Sequence, residues 1–500
     1  MRLKELIRTI GEKVDRDAEV TGVECDSRKV GEGSLFVAVP GERFDGADFI
    51  EDAACKGAVC AVTERFIKGA SCEQVIVEDV RAALAVLSTA FFKEPSSGMK
   101  MAGVTGTNGK TTVAYILESI FKAAGRKSAL MGTIQYRYDG LALDSTLTTP
   151  MANELQGFLR DAADSGVTHS VMEVSSHALS QHRVDGCDFD VKVFTNLTPE
   201  HLDYHGTMEA YFEDKARLFV SGGFGAGRSG SVINIDDEWG RALKERATPA
   251  LSYSLKSGAD IYPQCYGITR GGIKGKLRIP GSSIVINSEL IGEHNLYNIM
   301  AAAGAAYVMG IANRSIEKGI KELKSIPGRL EKVGAAGQGF DVYVDYAHTP
   351  DALERTLKVL TSLKKKGRLI TVFGCGGDRD KTKRPVMGRA AVELSDVAIV
   401  SSDNPRDEDP AEIISDVESG IKGAKRLDAN KEVSARGYYA IVDRALAIRK
   451  AVDIARRGDI VFVAGKGHED YQIVKGERFY FDDRVVLREA LKARASLKTG

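Results

Sequence analysis

From about residue 100 onward, short apolar runs stop abruptly at Gly-, Ser- or Asn-rich turns and give way to helical patterns. MAGVTG precedes a helical run at 110–124, HSVMEVSS one at 177–181 and VKVFTN one at 207–220; later, LITVFGCGGD, VAIVSSDNP and DIVFVAGKGHE end the same way. Continuous apolar strands that alternate with helices form parallel sheets, because both sheet faces are then covered. The expected fold class is therefore α/β. In such sheets ligands gather at the carboxyl ends of the strands, which is where the polar motifs of this chain begin.

The 500 residues are too many for one hydrophobic core. Two punctuated stretches look like domain joints, Lys93-Glu94-Pro95-Ser96-Ser97-Gly98 and Ser325-Ile326-Pro327-Gly328-Arg329. The first follows an Ala- and Leu-rich helical run at 81–92, the second an amphipathic run at 316–323. The expected domains are 1–97, 98–328 and 329–500. Acidic and basic residues balance at 69 each, which argues against a general nucleic-acid or anionic-membrane binder. The 7 cysteines are scattered and never spaced as CxxC, so neither a disulfide framework nor a cysteine zinc site is expected, and a reducing cytoplasm fits. The start, MRLKELIRTIGEKV, is charged from residue 2 and lacks the apolar run of a signal peptide.

The segment MAGVTGTNGKTTVAYILESIF reads as strand, glycine loop, lysine, hydroxyl, helix. Gly106 and Gly109 let the backbone of Gly106-Thr107-Asn108-Gly109-Lys110-Thr111-Thr112 turn its amides toward a phosphate at a helix N-terminus. Lys110 would neutralise the β- and γ-phosphates of ATP, and the Thr111 hydroxyl would bind Mg²⁺. Position 104 is valine, so the spacing departs from GxxxxGK(S/T).

Glu173 stands inside the apolar run VMEVSS. It is either a metal ligand at a strand end or a solvent-facing residue of an edge strand. TNLTPEHLDYHGTMEAYFEDKARLF then supplies His201, Asp203, His205 and Lys215. Pro199 and Gly206 place the two histidines in a loop, and with no HExxH a zinc hydrolase is rejected. On residue type alone His201 is equally a ligand or a satisfied loop histidine, and Lys215 reads as a surface helix lysine.

Together the phosphate loop, VMEVSSHAL, TNLTPEHLDYHGTMEAYFEDKARLF, GEHNLYN, IPGRLE and DYAHTPDAL resemble the Mur ligases of bacterial peptidoglycan synthesis, in matching order from about residue 20 to 485. The short GTNGKT loop is shared with folylpolyglutamate synthases, so the later motifs discriminate. The resemblance implies three domains: an N-terminal one for the UDP of the substrate, a central P-loop-type ATPase domain and a C-terminal Rossmann-like domain for an amino acid. It implies that ATP phosphorylates a carboxylate and that an amine attacks the acyl phosphate. It implies that Lys110 contacts phosphates, that Thr111, Glu173 and His201 surround Mg²⁺, and that Lys215 carries a CO₂-derived carbamate. Asn295, Asn298 and Arg329 are implied on the nucleotide side with Asp345, which stands with Lys110, Lys215 and His201 among the catalytic positions. His348 is matched without a role.

GVECDSRKVGEGSLFVAVPGERFDG resembles the uridine-binding region, with Cys25, Ser27 and Arg28 in matching positions. Glu42, Arg43 and Phe44 depart from the HQA expected there. Thr148, Thr149, Ser175, Gln181 and Arg183 match positions that hold a UDP-N-acetylmuramoyl dipeptide, while Leu147 replaces the usual asparagine. Asp403-Asn404-Pro405-Arg406 resembles the form specific for meso-diaminopimelate, because a guanidinium grips a carboxylate in two places. Taken by itself it is an ordinary strand-end turn. Arg379 would be a second carboxylate grip, and Gly465 and Glu469 would receive an amino end. A lysine substrate would leave Arg406 buried and unpaired, at a cost on the order of 3 kcal/mol. The expectation is a cytoplasmic, monomeric ligase with neither nucleic-acid nor membrane partners. The rivals are a ligase adding lysine, a glutamate ligase acting on folate, a regulatory ATP-binding module, and a motor ATPase, which would want the aromatic platform that a single Trp239 does not offer.

Overall fold

The structure, a computed structural model, describes residues 1–41, 44–220, 230–334, 338–364, 366–428 and 436–499. Glu42 and Arg43 lie outside the described residues. The chain forms two compact units, one of Met1–Tyr266, Lys274–Asn287 and His294–Leu323, the other of Gly267–Ile273, Ser288–Glu293 and Lys324–Gly500.

The first unit begins with a four-stranded, wholly parallel sheet ordered Gly22–Glu24, Ser34–Val37, Cys60–Thr63, Glu73–Ile76. Leu3, Leu6, Leu84 and Leu87 pack against Leu35 and Val62 of its strands. The helix Val80–Phe91 is capped by Asp79, whose carboxylate accepts from the amides of Arg81 and Ala82. Its end is abrupt: Lys93 and Glu94 take φ of 60° and 48° before the chain enters the next sheet.

That sheet has eight strands in the order Ala250–Tyr253, Gly230–Asn234, Val191–Phe194, Lys100–Thr105, His169–Glu173, Ser128–Met131, Gln135–Tyr138, Leu141–Asp144. Lys100–Thr105 lies between two parallel neighbours, and its near-complete burial is what an unbroken apolar run predicts. The helix Lys110–Ala123 follows, with Val113, Ile116, Leu117 and Ile120 turned inward. Register sets the site: Val104 pairs with Glu173, and Thr105 with Phe194. Glu173 and Thr195 are thereby delivered to the mouth of the glycine loop.

A three-stranded sheet comprises Tyr262–Thr269, Gly272–Ile279 and Ser282–Ser288. The second unit holds a six-stranded sheet in the order Glu331–Lys332, Asp341–Asp345, Ile460–Ala464, Leu369–Cys375, Val397–Ser402, Gly437–Ala440. All its pairings are parallel except the first. One face packs on Leu353, Leu357, Met387 and Ile413, the other on Ala447, Ile448, Val452 and Leu487, so the sheet is doubly wound. Ile460–Ala464, last in sequence, lies between the first and second long strands, and that reversal opens a crevice at the strand ends. No described helix is long and apolar enough to cross a membrane.

A fully buried ion pair braces those ends. The Arg444 guanidinium donates to both oxygens of Asp483, each at 2.8 Å, and both side chains are 0% exposed. It also donates to the carbonyls of Ala464 and Ser402, at 3.0 and 3.2 Å. Arg444→Met would strand the Asp483 charge, so we expect a loss of about 3–5 kcal/mol in denaturant unfolding, with much of it recovered by adding Asp483→Leu.

Candidate active site

The glycine loop is held rigidly from one side. Gly106 and Gly109 adopt φ of 137° and 91°. A Cβ at Gly106 would overlap the Thr195 hydroxyl, and one at Gly109 the Asn298 side-chain oxygen, so neither position tolerates alanine. The Thr107 amide donates to the Asn196 carbonyl at 2.8 Å, the Asn108 amide to Asn196 Oδ1 at 3.0 Å, and Thr195 Oγ1 to the Asn108 carbonyl at 2.6 Å. The helix Lys110–Ala123 starts at Gly109 without a side-chain cap, and its N-terminal dipole end faces the loop as a site that favours an anion. The Lys110 amine curls over this loop and donates to the carbonyls of Gly106 and Thr107, at 2.8 and 2.7 Å. Gly109→Ala is expected to weaken nucleotide binding, measured by titration calorimetry, by at least about tenfold, because the loop must open to admit the methyl.

Glu173 ends its strand 1% exposed and accepts from the Thr111 and Thr133 hydroxyls, at 2.9 and 3.1 Å, and from the Thr133 amide at 2.9 Å. The surface-strand alternative is therefore excluded. Thr111 and Thr112 are buried at the head of the helix. Among the described residues, no three His, Cys, Asp or Glu side chains form a metal cage. The Thr111 hydroxyl and the Glu173 carboxylate instead make an all-oxygen edge, suited to a small hard cation completed by phosphate oxygens and water.

Lys215 is 1% exposed, not a surface lysine. Its amine donates to the Gly106 carbonyl at 3.1 Å and lies 4.6 Å from the centre of the Tyr211 ring. Burial, reinforced by the nearby Lys110 ammonium, holds it well below the ordinary lysine value. The histidines expected in a loop lie on a single helical turn, Leu202–His205, which left-handed His201 (φ 56°) starts and Gly206 ends. His201 is partly exposed, its Nε2 3.8 Å from the Glu200 carboxylate. The His205 ring is buried between Asp214 (Nδ1 to Oδ2, 2.8 Å) and Ser176 (Nε2 to Oγ, 2.9 Å), and stacks on Tyr211. His177 joins this cluster, and burial and the adjacent His201 and His205 push it down to about 4. His177, Ser176, Tyr211 and Asp214 escape sequence reasoning because no single one falls in a recognisable spacing.

Asn295 and Asn298 are buried and joined at 3.0 Å. Thr149 donates to the Glu173 carbonyl at 2.8 Å and receives the Ser175 amide at 3.0 Å; Arg183 reaches the Thr149 carbonyl at 2.9 Å and Gln181 at 2.6 Å. Thr148 meets Thr133 at 3.1 Å. The five matched residues 148, 149, 175, 181 and 183 thus form one polar shelf beside Glu173. Burial, with Arg81 nearby, lowers the Arg183 guanidinium below its usual value. The exposed Leu147 contributes its carbonyl to Tyr136 and Ser145. Cys25 donates to Asn153 at 3.4 Å, the Ser27 carbonyl accepts from Lys56 at 3.0 Å, exposed Arg28 pairs with Asp26 at 2.7 Å, and Phe44 is 71% exposed.

In the second unit, Asp403 and Asn404 are buried immediately after the strand Val397–Ser402. The Asn404 amide nitrogen donates to Glu469 at 3.0 Å. Gly465 is buried at the end of Ile460–Ala464, one strand removed in the sheet, where a Cβ would come 3.4 Å from Asp403 Oδ2. Pro405 passes the chain to Arg406, which takes a φ of 53°; its backbone bridges to the hairpin of Tyr471–Val474 and Glu477–Tyr480. Its guanidinium is partly buried and donates to the Gly377 carbonyl at 2.8 Å. Arg406 thus has a partner of its own, so a bound lysine would not leave it unpaired as expected. Arg379 is exposed and donates to the Asp378 carbonyl at 3.0 Å, while Arg384, which the sequence did not single out, is fully buried against Glu408 and Asp416.

Asp345 is held by its own backbone surroundings, accepting the amides of Leu330 and Ala347 at 2.7 and 2.9 Å. Burial raises its carboxyl above the ordinary value even with Arg329 near. The Arg329 guanidinium lies 5.1 Å from the Tyr346 ring, which also meets His348.

A phosphate-type loop backed by a carboxylate and a buried lysine, together with a doubly wound unit offering a second polar strand end, defines an enzyme of the α/β ligase type. Family models described as Mur ligase family catalytic domain, Mur ligase middle domain, and Mur ligase glutamate ligase domain match residues 19–104, 104–306 and 328–467. The chain belongs to the Mur ligase family. It is 46% identical, over the full length of both chains, to the UDP-N-acetylmuramoyl-L-alanyl-D-glutamate–2,6-diaminopimelate ligase of Geobacter sulfurreducens. It is 43% identical to the protein of that name from Gloeobacter violaceus, over 99% of each chain. A solved structure titled with the same ligase name matches with a TM-score of 0.71 and 34% identity, covering 99% of this chain and 100% of that one. A MurF ligase from Thermotoga maritima in complex with ADP shares the fold, with a TM-score of 0.64 and 21% identity over 95% of this chain and 98% of that one.

Proposed function

We propose that this chain is an ATP-dependent ligase that adds meso-2,6-diaminopimelate to UDP-N-acetylmuramoyl-L-alanyl-D-glutamate in peptidoglycan precursor synthesis. Residues 1–97 receive the uridine nucleotide with Cys25, Ser27 and Arg28. Residues 98–328 bind ATP, and 329–500 bind the amino acid, in a cytoplasmic monomer. The observation that carries the choice of amino acid is Arg406, a guanidinium at a sheet's carboxyl edge beside Asp403, Asn404 and Glu469. Lysine offers such a site no second carboxylate, whereas diaminopimelate does.

The loop amides and Lys110 hold the phosphates and draw charge from the γ-phosphoryl group as it passes to the dipeptide carboxylate. The resulting acyl phosphate and ADP are the products of that transfer. The amine of diaminopimelate then attacks the acyl carbon and loses a proton, and phosphate leaves from the tetrahedral adduct. Thr149, Ser175, Gln181 and Arg183 position the dipeptide; Asn295, Asn298 and Arg329 flank the nucleotide, with Asp345 fixing the turn at Leu330. Mg²⁺ held by Thr111, Glu173 and His201, with a carbamate on Lys215, would supply charge neutralisation at the phosphates.

ADP release should be measured with the UDP-linked dipeptide and each of diaminopimelate, lysine and glutamate. Release with diaminopimelate alone is expected. Release with lysine but not diaminopimelate refutes the assignment, and no ADP with any of them refutes ligase chemistry.

A further inference from the structure

At the end of the strand Ile460–Ala464 stands Lys466, whose side chain is 0% exposed. A buried ammonium must spend its protons on acceptors, and this one does. It donates to Asn404 Oδ1 at 2.9 Å and to the Tyr471 carbonyl at 2.6 Å. It also pairs with Asp403 at 3.3 Å and stands 3.8 Å from Glu469. Neither the phosphate chemistry nor the carboxylate grip uses it.

Two consequences follow from these contacts. Asn404 Oδ1 accepts from both Lys466 and the Ile473 amide, the latter at 3.0 Å, so the amide cannot flip. Its nitrogen is therefore committed to Glu469, at 3.0 Å. The second consequence concerns charge. Two carboxylates, Asp403 and Glu469, share one strand-end pocket with the Lys466 amine, and Arg444 acts on Asp403 and Arg406 on Glu469 from nearby. Burial and the neighbouring Asp403 raise the Glu469 carboxyl, while Lys466 and Asn404 oppose that rise. Burial would raise Asp403 too, but Lys466 and Arg444 bring it below the ordinary value.

We infer that Lys466 is a positioning residue for amino-acid recognition, which fixes the orientation of Asn404 and, through the Asn404 amide, the carboxylate of Glu469. This rests on the strand-end site being the amino-acid site. Methionine approximates the lysine stem without its charge, so Lys466→Met should raise the KM for diaminopimelate at least about tenfold and leave the KM values for ATP and the dipeptide within about twofold. Lys466→Met and Asn404→Ala should be strongly non-additive on the diaminopimelate KM, since both act on one array. A lysine that merely stabilised the fold would lower the active fraction and kcat without selecting one substrate. An unchanged diaminopimelate KM, an equal shift for all three substrates, or independent effects in the double variant overturns the inference. Should the methionine variant fail to fold in thermal unfolding, Lys466→Arg is measured instead: it keeps the charge but not the contacts, and an unchanged diaminopimelate KM overturns the inference there too. A wild-type enzyme that ignores diaminopimelate refutes the functional assignment instead, a different result from any of these.

Discussion

Lys215→Ala is expected to lose activity on the order of 10³-fold, and Lys215→Arg to do no better. The reason is the state of the amine. It is buried, held over Tyr211, and pushed well below the ordinary lysine value by desolvation and by Lys110. A neutral amine is what reacts with CO₂: its lone pair forms the N–C bond, a proton leaves to solvent, and the product is an anion. That anion suits a site where cations meet phosphate, whereas an ammonium beside Lys110 does not. Arginine cannot lose its proton, so it would place an uncompensated cation in the same cavity. Rates of ADP release in CO₂-depleted and bicarbonate-supplemented buffer, with ¹³C NMR after ¹³C-bicarbonate labelling, test this directly. An active arginine variant, or activity indifferent to bicarbonate with no carbamate resonance, sinks it.

The second large effect is expected at Arg406. Arg406→Lys should lower kcat/KM for diaminopimelate and shrink its margin over lysine. An arginine left with no partner would have cost on the order of 3 kcal/mol when lysine entered. Because Arg406 already donates to the Gly377 carbonyl, what distinguishes diaminopimelate is the added charged hydrogen bonding, about 1.5–3 kcal/mol. That corresponds to roughly ten- to hundredfold in the ratio of the two kcat/KM values. Equal kcat/KM ratios in wild type and variant would show that Arg406 does not read the carboxylate.

The alternation of apolar runs and helical patterns was enough to announce parallel sheets, because a strand buried on both faces has no polar alternation to show. The strands Lys100–Thr105, Leu369–Cys375 and Val397–Ser402 stand where those runs lie. Gly106 and Gly109 were legible for a related reason: positive φ beside a crowding side chain leaves glycine as the residue that fits. Asp403 to Arg406 was readable as a turn, and acquired a chemical meaning only beside the other motifs.

Lys215 and Glu173 were ambiguous because burial is not encoded locally. EDKARLF is an ordinary helical stretch, and whether its lysine faces water depends on a loop more than a hundred residues earlier, whose Gly106 carbonyl it meets. His205 could be read only as half of a histidine pair in a loop, since its partners Asp214 and Ser176 come from separate helices. Lys466 was passed over within its motif, because Asn404 and Asp403 reach it through the order of strands in the sheet. Residue type and spacing along the chain thus determined the sheets, the loop and the class of chemistry. Which amine is buried and which carboxylates share a pocket were decided by tertiary structure, since desolvation and Coulomb energy depend on distance in space rather than on separation in sequence.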